Sequence, residues 1–193
     1  MPRKGRNGGR NVFRALIPII PAALLVAFIV YLITIPPNPP PTTVPTTASQ
    51  GDLAPDFTLR IIDGEGLKDQ SFSLSEVKGR PIFIDFIHEW CPHCNNMAST
   101  IDRLHSQYGD RVFFITVAGS SNTTPEKTAE YIRRHHISWT TVYDDGLNVF
   151  RQFGVRGTPT YIVIGPNGII VGKLEGEQPY TVLEQLVKNV IGG

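Results

Sequence analysis

The chain has 193 residues, with 18 Lys and Arg against 17 Asp and Glu, and two cysteines. Five of the basic residues, Arg3, Lys4, Arg6, Arg10 and Arg14, fall in the first 14 positions, leaving 13 basic against 17 acidic residues, a body of charge near −4. That balance argues against nucleic acid as a partner, and two cysteines exclude a zinc site built from paired C-x-x-C motifs.

Residues 1–14 contain no acidic side chain, and Ala15 to Ile35 contains no charge at all. As a helix, that second stretch would span about 31 Å, enough for the hydrocarbon core of a bilayer. The basic flank predicts a cytoplasmic N-terminus and an extracytoplasmic remainder, so 15–35 is expected to be a single transmembrane anchor. A cleaved signal peptide is the alternative. Against it, the apolar run is long and ends in Thr34-Ile35-Pro36-Pro37, not in an A-x-A-like site. Residues 36–51, rich in Pro and Thr, read as an extended spacer. Residues 52–193 have the length of one domain.

In that domain, Asp56-Phe57-Thr58-Leu59 and Ser71-Phe72-Ser73-Leu74 alternate polar and apolar residues with glycines between them, predicting an N-terminal hairpin. Ile82 to Ile87 reads as a buried strand. Met97, Ile101, Leu104 and Tyr108 then recur at helical spacing. Between strand and helix stands Trp90-Cys91-Pro92-His93-Cys94. Pro92 suits the first helical position, which leaves Cys91 beside unpaired N–H groups and the positive end of the helix dipole. A thiolate there is stabilised and becomes a nucleophile near neutral pH. Cys94, one turn deeper, is placed to resolve a mixed disulfide. A structural zinc would have to recruit His88 or His93. A purely structural disulfide across so short a loop would restrict the unfolded chain little. A redox pair is the favoured reading.

Further on, Arg111 to Ala118 reads as a second buried strand. Thr124-Pro125-Glu126 opens a helix running to about His136, Trp139 to Tyr143 is a strand, and Leu147 to Phe153 a short helix ended by Gly154. Thr160 to Ile164 and Ile169 to Lys173 flank the turn Gly165-Pro166-Asn167-Gly168. Thr181 and Glu184 form a capping-box pattern before the apolar stripe Leu183, Leu186, Val187 and Val190. Strands alternating with helices predict an α/β sandwich ending in a hairpin and a helix.

Ala54-Pro55-Asp56-Phe57, Gly79-Arg80-Pro81, the C-x-x-C, the inserted helix and strand at 125–143, and Gly154-Val155 with Gly157-Thr158-Pro159-Thr160 together resemble membrane-anchored thioredoxin-fold proteins of the TlpA/ResA type. The resemblance covers about Leu53 to Ile191. It implies a thioredoxin-like α/β fold: a central mixed sheet with helices on both faces, an N-terminal hairpin and an inserted helix and strand. It also implies a cis peptide before Pro159, packed against the cysteine pair. Asp85, the one charge in the central strand, shares a face with Phe83 and Ile87. Burial there predicts a carboxyl that is costly to ionise. In thioredoxins an Asp at this spacing from the Trp-Cys pair accepts the proton of the inner cysteine, the role the resemblance implies for Asp85. Ile87 and His88 depart from the thioredoxin pattern, and the sequence supplies no role for His88.

The catalytic set expected is therefore Cys91, Cys94 and Asp85, supported by Trp90, Pro92, His93, Thr158 and Pro159. No cofactor and no metal are expected beyond the cysteine pair. Protein thiols or disulfides would be the substrates, with an extracytoplasmic or membrane partner to reset the pair. Pro92-His93 matches the DsbA group, in which a His beside the thiolate makes the disulfide oxidising. This favours disulfide formation or isomerisation. The TlpA/ResA resemblance and Thr158 support the alternative, reduction of apocytochrome c. A copper chaperone is a further alternative, since thiolates beside a His suit Cu(I). However, copper chaperones of this fold space their cysteines C-x-x-x-C, and His105, His135 and His136 are expected on helix surfaces. The P-x-x-x-T-x-x-C pattern of peroxiredoxins is absent.

Overall fold

The structure, a computed structural model, describes Leu25, Phe28, Tyr31 and residues 48–192. The chain divides into two compact units, Met1–Val44 and Pro45–Gly193. In the first, Leu25, Phe28 and Tyr31 are helical and exposed. Apart from these three, the predicted anchor at 15–35 lies outside the described residues, as does the predicted spacer before Ala48. Among the described residues no helix is long and apolar enough to cross a membrane.

The second unit has the thioredoxin-like architecture. In chain order it runs β1 (Thr58–Asp63), β2 (Gly66–Ser73), a 3-10 turn (Leu74–Val77), β3 (Ile82–Ile87), α1 (Pro92–Tyr108), β4 (Phe113–Gly119) and α2 (Pro125–Arg134). It continues with β5 (Thr140–Asp144), α3 (Asn148–Gln152), β6 (Thr160–Ile164), β7 (Ile170–Glu175) and α4 (Tyr180–Ile191). The described strands form one mixed sheet in the order β2-β1-β5-β4-β3-β6-β7. Strands β3, β4 and β5 are parallel, and β1, β6 and β7 join antiparallel to their inner neighbours.

All six residues of β3 are buried. It is hydrogen-bonded on both sides and covered on both faces, which is why it reads as a continuous apolar run and not an alternating one. Ile84 and Phe86 point into a cluster with Phe150 and Phe153 around α3. Phe83 points to the opposite face, into a cluster with Met97, Ile101, Leu104 and Tyr108 of α1 and Leu183, Val187 and Val190 of α4. Ile87 packs on the same face with Tyr131 and Ile132 of α2. Asp85 is thus carried on a fully buried strand, on the side that α1 packs against.

The capping box expected from Thr181 and Glu184 does not form. Pro179 is the N-cap of α4 without a side-chain hydrogen bond. Glu184 instead accepts from the Tyr108 hydroxyl at 2.8 Å and pairs with Lys188 at 3.0 Å. A partner on α1 outcompeted the local one. The reciprocal contact appears at the 3-10 turn, where the Ser73 N–H donates to Glu76 at 2.8 Å. Nor are the distal histidines uniformly surface residues: His105 lies against Phe114 and Trp139, and His135 Nε2 is 2.8 Å from Asn95 Oδ1.

Candidate active site

Cys91 is the N-cap of α1 in extended backbone, and Pro92 follows at the first helical position. Its Sγ accepts the Cys94 N–H at 3.2 Å and donates to the Thr158 carbonyl at 3.2 Å. The sulfur therefore lies between a helix N-terminus and the turn that leads into β6. The Thr158–Pro159 peptide in that turn is cis. Both thiols are free and both are buried, Cys91 at 4% exposure and Cys94 at 1%. The sequence reading made Cys91 the outer sulfur and Cys94 the shielded one. In the structure the two differ less in exposure than in surroundings.

Those surroundings differ sharply. The Cys94 thiol is pushed well up, first by burial, then by its hydrogen bond with Cys91 and by the charge of Asp85. Asp85, 7% exposed and paired across the sheet with Thr116 on one side and Tyr161 on the other, has its carboxyl pushed up to about 7 by burial. Its Oδ1 has no hydrogen-bond partner, so nothing offsets the desolvation. The Tyr161 hydroxyl, also buried and unpartnered, is raised by burial and by Asp85. A carboxyl that titrates near neutrality and interacts with the Cys94 thiol has the chemistry to take up and release a proton there.

His88, for which the sequence supplied no role, is buried between two rings. It stacks on Trp90 (centroids 5.0 Å apart, planes at 6°) and on Phe150 (5.1 Å, 29°). Its Nδ1 lies 3.0 Å from the Gly119 carbonyl at the end of β4. Trp90 is 48% exposed, and its Nε1–H donates to the Ser121 carbonyl at 2.7 Å. The imidazole thus holds an exposed indole beside Cys91.

His93, on the first turn of α1, is exposed and bonds to a residue far away in sequence. Its Nδ1 is 2.6 Å from Glu177 Oε1, and Asn96 Nδ2 donates to the same oxygen at 2.9 Å. Two further contacts tie down the first turn. Asn95 Nδ2 donates to the Cys91 carbonyl at 2.8 Å, and the Tyr131 hydroxyl of α2 donates to the Cys94 carbonyl at 3.2 Å. Sequence reasoning named none of Glu177, Asn96, Asn95 or Tyr131. Among the described residues no three His, Cys, Asp or Glu side chains group as metal ligands.

Comparison with known proteins agrees with this architecture. ResA, a thiol-disulfide oxidoreductase of Halalkalibacterium halodurans, is 29% identical over 142 residues, covering 73% of this chain and 77% of that protein. The thioredoxin domain of a thiol-disulfide oxidoreductase from Bacteroides vulgatus superposes with a TM-score of 0.62 at 25% identity, covering 73% of this chain and 99% of that one. A thioredoxin-family thiol:disulfide interchange protein from Chlorobium tepidum, at 20% identity, shares the fold with a TM-score of 0.63 over 76% of this chain and 100% of its own. The model of the AhpC/TSA family matches residues 50–173, from the segment before β1 through the cysteine pair and the Thr158–Pro159 turn into β7, and the chain belongs to that family.

Proposed function

We propose that this thiol–disulfide oxidoreductase is held at the cell membrane by residues 15–35, with its thioredoxin-like unit outside, and forms or isomerises disulfides in protein substrates. The observation that carries the chemistry is the position of Cys91 Sγ, 3.2 Å from the Cys94 N–H at a helix N-terminus and 3.2 Å from the Thr158 carbonyl. The Cys94 N–H and the helix dipole there turn positive charge toward the sulfur that attacks or leaves. The Cys94 thiol, by contrast, is pushed well up, first by burial, and stays protonated.

In the oxidising direction a substrate thiolate attacks Cys91 of the disulfide, and the Cys94 sulfur leaves with the bond's electron pair and takes a proton from Asp85. The second substrate thiol, as its thiolate, then displaces Cys91, whose sulfur departs with the bond's electron pair. In reverse, Cys91 attacks a substrate disulfide, Asp85 removes the Cys94 proton, and Cys94 closes the pair. The Thr158–Pro159 turn, touching Cys91, is placed to align the substrate's backbone, and Trp90 offers it an apolar surface. Full-length protein carrying Cys94→Ser should accumulate mixed disulfides with substrate proteins through Cys91, and protein carrying Cys91→Ser should accumulate none. Equal trapping by the two variants would remove the assignment.

A second reading, reduction of apocytochrome c thiols, is favoured by the Glu177 carboxylate, which offsets the cation that would make the pair oxidising. The reduction potential divides the two: about −120 mV marks an oxidant and about −270 mV a thioredoxin-like reductant.

A further inference from the structure

Glu177 lies in the loop between β7 and α4, 84 residues from His93 in sequence. Two independent contacts fix this loop against the active site. The Gly176 N–H donates to the Pro159 carbonyl at 2.8 Å, and Glu175, the last residue of β7, pairs with Thr160. Gly176 makes the bend at φ +78°, a conformation that costs glycine little. The next residue, Glu177, then turns onto α1 and places one oxygen on both His93 Nδ1 and Asn96 Nδ2. One short loop therefore bridges the two sides of the catalytic cleft, the helix that carries Cys91 and the turn that carries Thr158.

We infer that Glu177 is a positioning residue that sets the redox poise of the Cys91–Cys94 pair by orienting His93 and partly neutralising it. This rests on the reading of that pair as the redox couple. When a substrate dithiol reduces the Cys91–Cys94 bond, two electrons enter it and the substrate's sulfurs join. Of the two protons released, one ends on Cys94 and one goes to solvent, leaving Cys91 as thiolate. Positive charge beside Cys91 stabilises that product and makes the disulfide a stronger oxidant. His93, two residues on from Cys91, supplies such a charge when protonated. A carboxylate 2.6 Å from His93 Nδ1 turns that charge, when present, into a pair of no net charge. His93 first, then Asn96, holds the Glu177 carboxyl below its usual range, so the counter-charge persists at mildly acidic pH. An exposed ion pair of this kind adds little to stability. Its effect lies in the field at the neighbouring sulfur.

The test is the equilibrium of the full-length protein, in detergent, with a glutathione buffer at pH 6.0, below the ordinary imidazole value. Glu177→Gln should shift the equilibrium toward the dithiol about three- to fivefold, the range of a surface pair at its stronger end. The shift should shrink in 1 M salt, where the Debye length is about 3 Å, and should fall below about 1.5-fold when His93→Pro is already present, since the carboxylate acts through His93. No shift in Glu177→Gln, a shift toward the disulfide, or an undiminished shift without His93 would each overturn the inference. A wild-type protein with no disulfide–dithiol equilibrium would instead overturn the reading of Cys91 and Cys94 as the redox pair, so the two failures are distinct.

Discussion

Asp85 is a buried carboxyl with an unpartnered oxygen, and burial alone accounts for its shift from 3.8 to about 7. A native value above the unfolded one means that the native state binds the proton more tightly. Its contribution to stability is fully present below pH ~4, the unfolded value, and is lost as pH rises through about 7. Asp85→Asn removes the ionisation and keeps the shape. It should therefore leave stability unchanged near pH 4 and raise it at pH 8, by at most about 4 kcal/mol for a shift of three units. Urea unfolding at the two pH values measures this. The same variant should slow thiol–disulfide exchange across pH 6 to 9, because Cys94 loses its proton acceptor. Unchanged exchange rates would make Asp85 a packing residue only. Asp85 was legible in the sequence because a lone charge interrupts an apolar strand. Glu177 was not, because nothing local distinguishes it from other surface carboxylates and its partner is 84 residues away.

At the level of elements, the strands and helices of the globular unit were legible from periodicity, since each core face repeats every two or 3.6 residues. Boundaries moved where tertiary contacts took over. The terminal capping box gave way to a bond between Glu184 and Tyr108. The short helix α3 is capped from outside itself: the buried Asp144 accepts the N–H groups of Asn148 and Phe150 at 3.0 and 2.9 Å, while Leu147 stands in left-handed backbone. That cap carries Phe150 to His88, so the chain Asp144, α3, Phe150, His88, Trp90 links the end of β5 to the exposed indole next to Cys91. The weak point of this chain is Gly119. A Cβ there would lie 2.5 Å from His88 Cε1 and 2.8 Å from Leu147 Cδ2. The imidazole is held there by stacking on Trp90 and Phe150 and by the contact of its Nδ1 with the Gly119 carbonyl. Gly119→Ala should therefore destabilise the fold by about 1–3 kcal/mol, as overpacking does, and should lower exchange activity by displacing Trp90. An unfolding midpoint equal to wild type would show that the rings give way more easily than this packing implies.

For the whole molecule, the charge partition of the sequence sets the expected topology. With five basic residues ahead of an uncharged stretch of 21, the N-terminus should stay cytoplasmic. Protease added to intact cells or spheroplasts should digest the globular unit, while the mature chain keeps its N-terminal residues. A mature N-terminus near Asn38 would identify a cleaved signal peptide instead. The placing of the two tryptophans has an optical consequence. Trp90 stacks on His88, and Trp139 lies 4.9 Å from the His105 ring. Protonated imidazole quenches indole emission, so Trp139 reports the titration of His105. Burial holds His105 below its ordinary range, so the Trp139 signal changes at the more acidic pH expected of a hindered imidazole. Replacing Trp139 by Phe leaves Trp90 as the one indole in the chain, a built-in fluorophore beside Cys91 whose brightness follows the catalytic cleft without any added label.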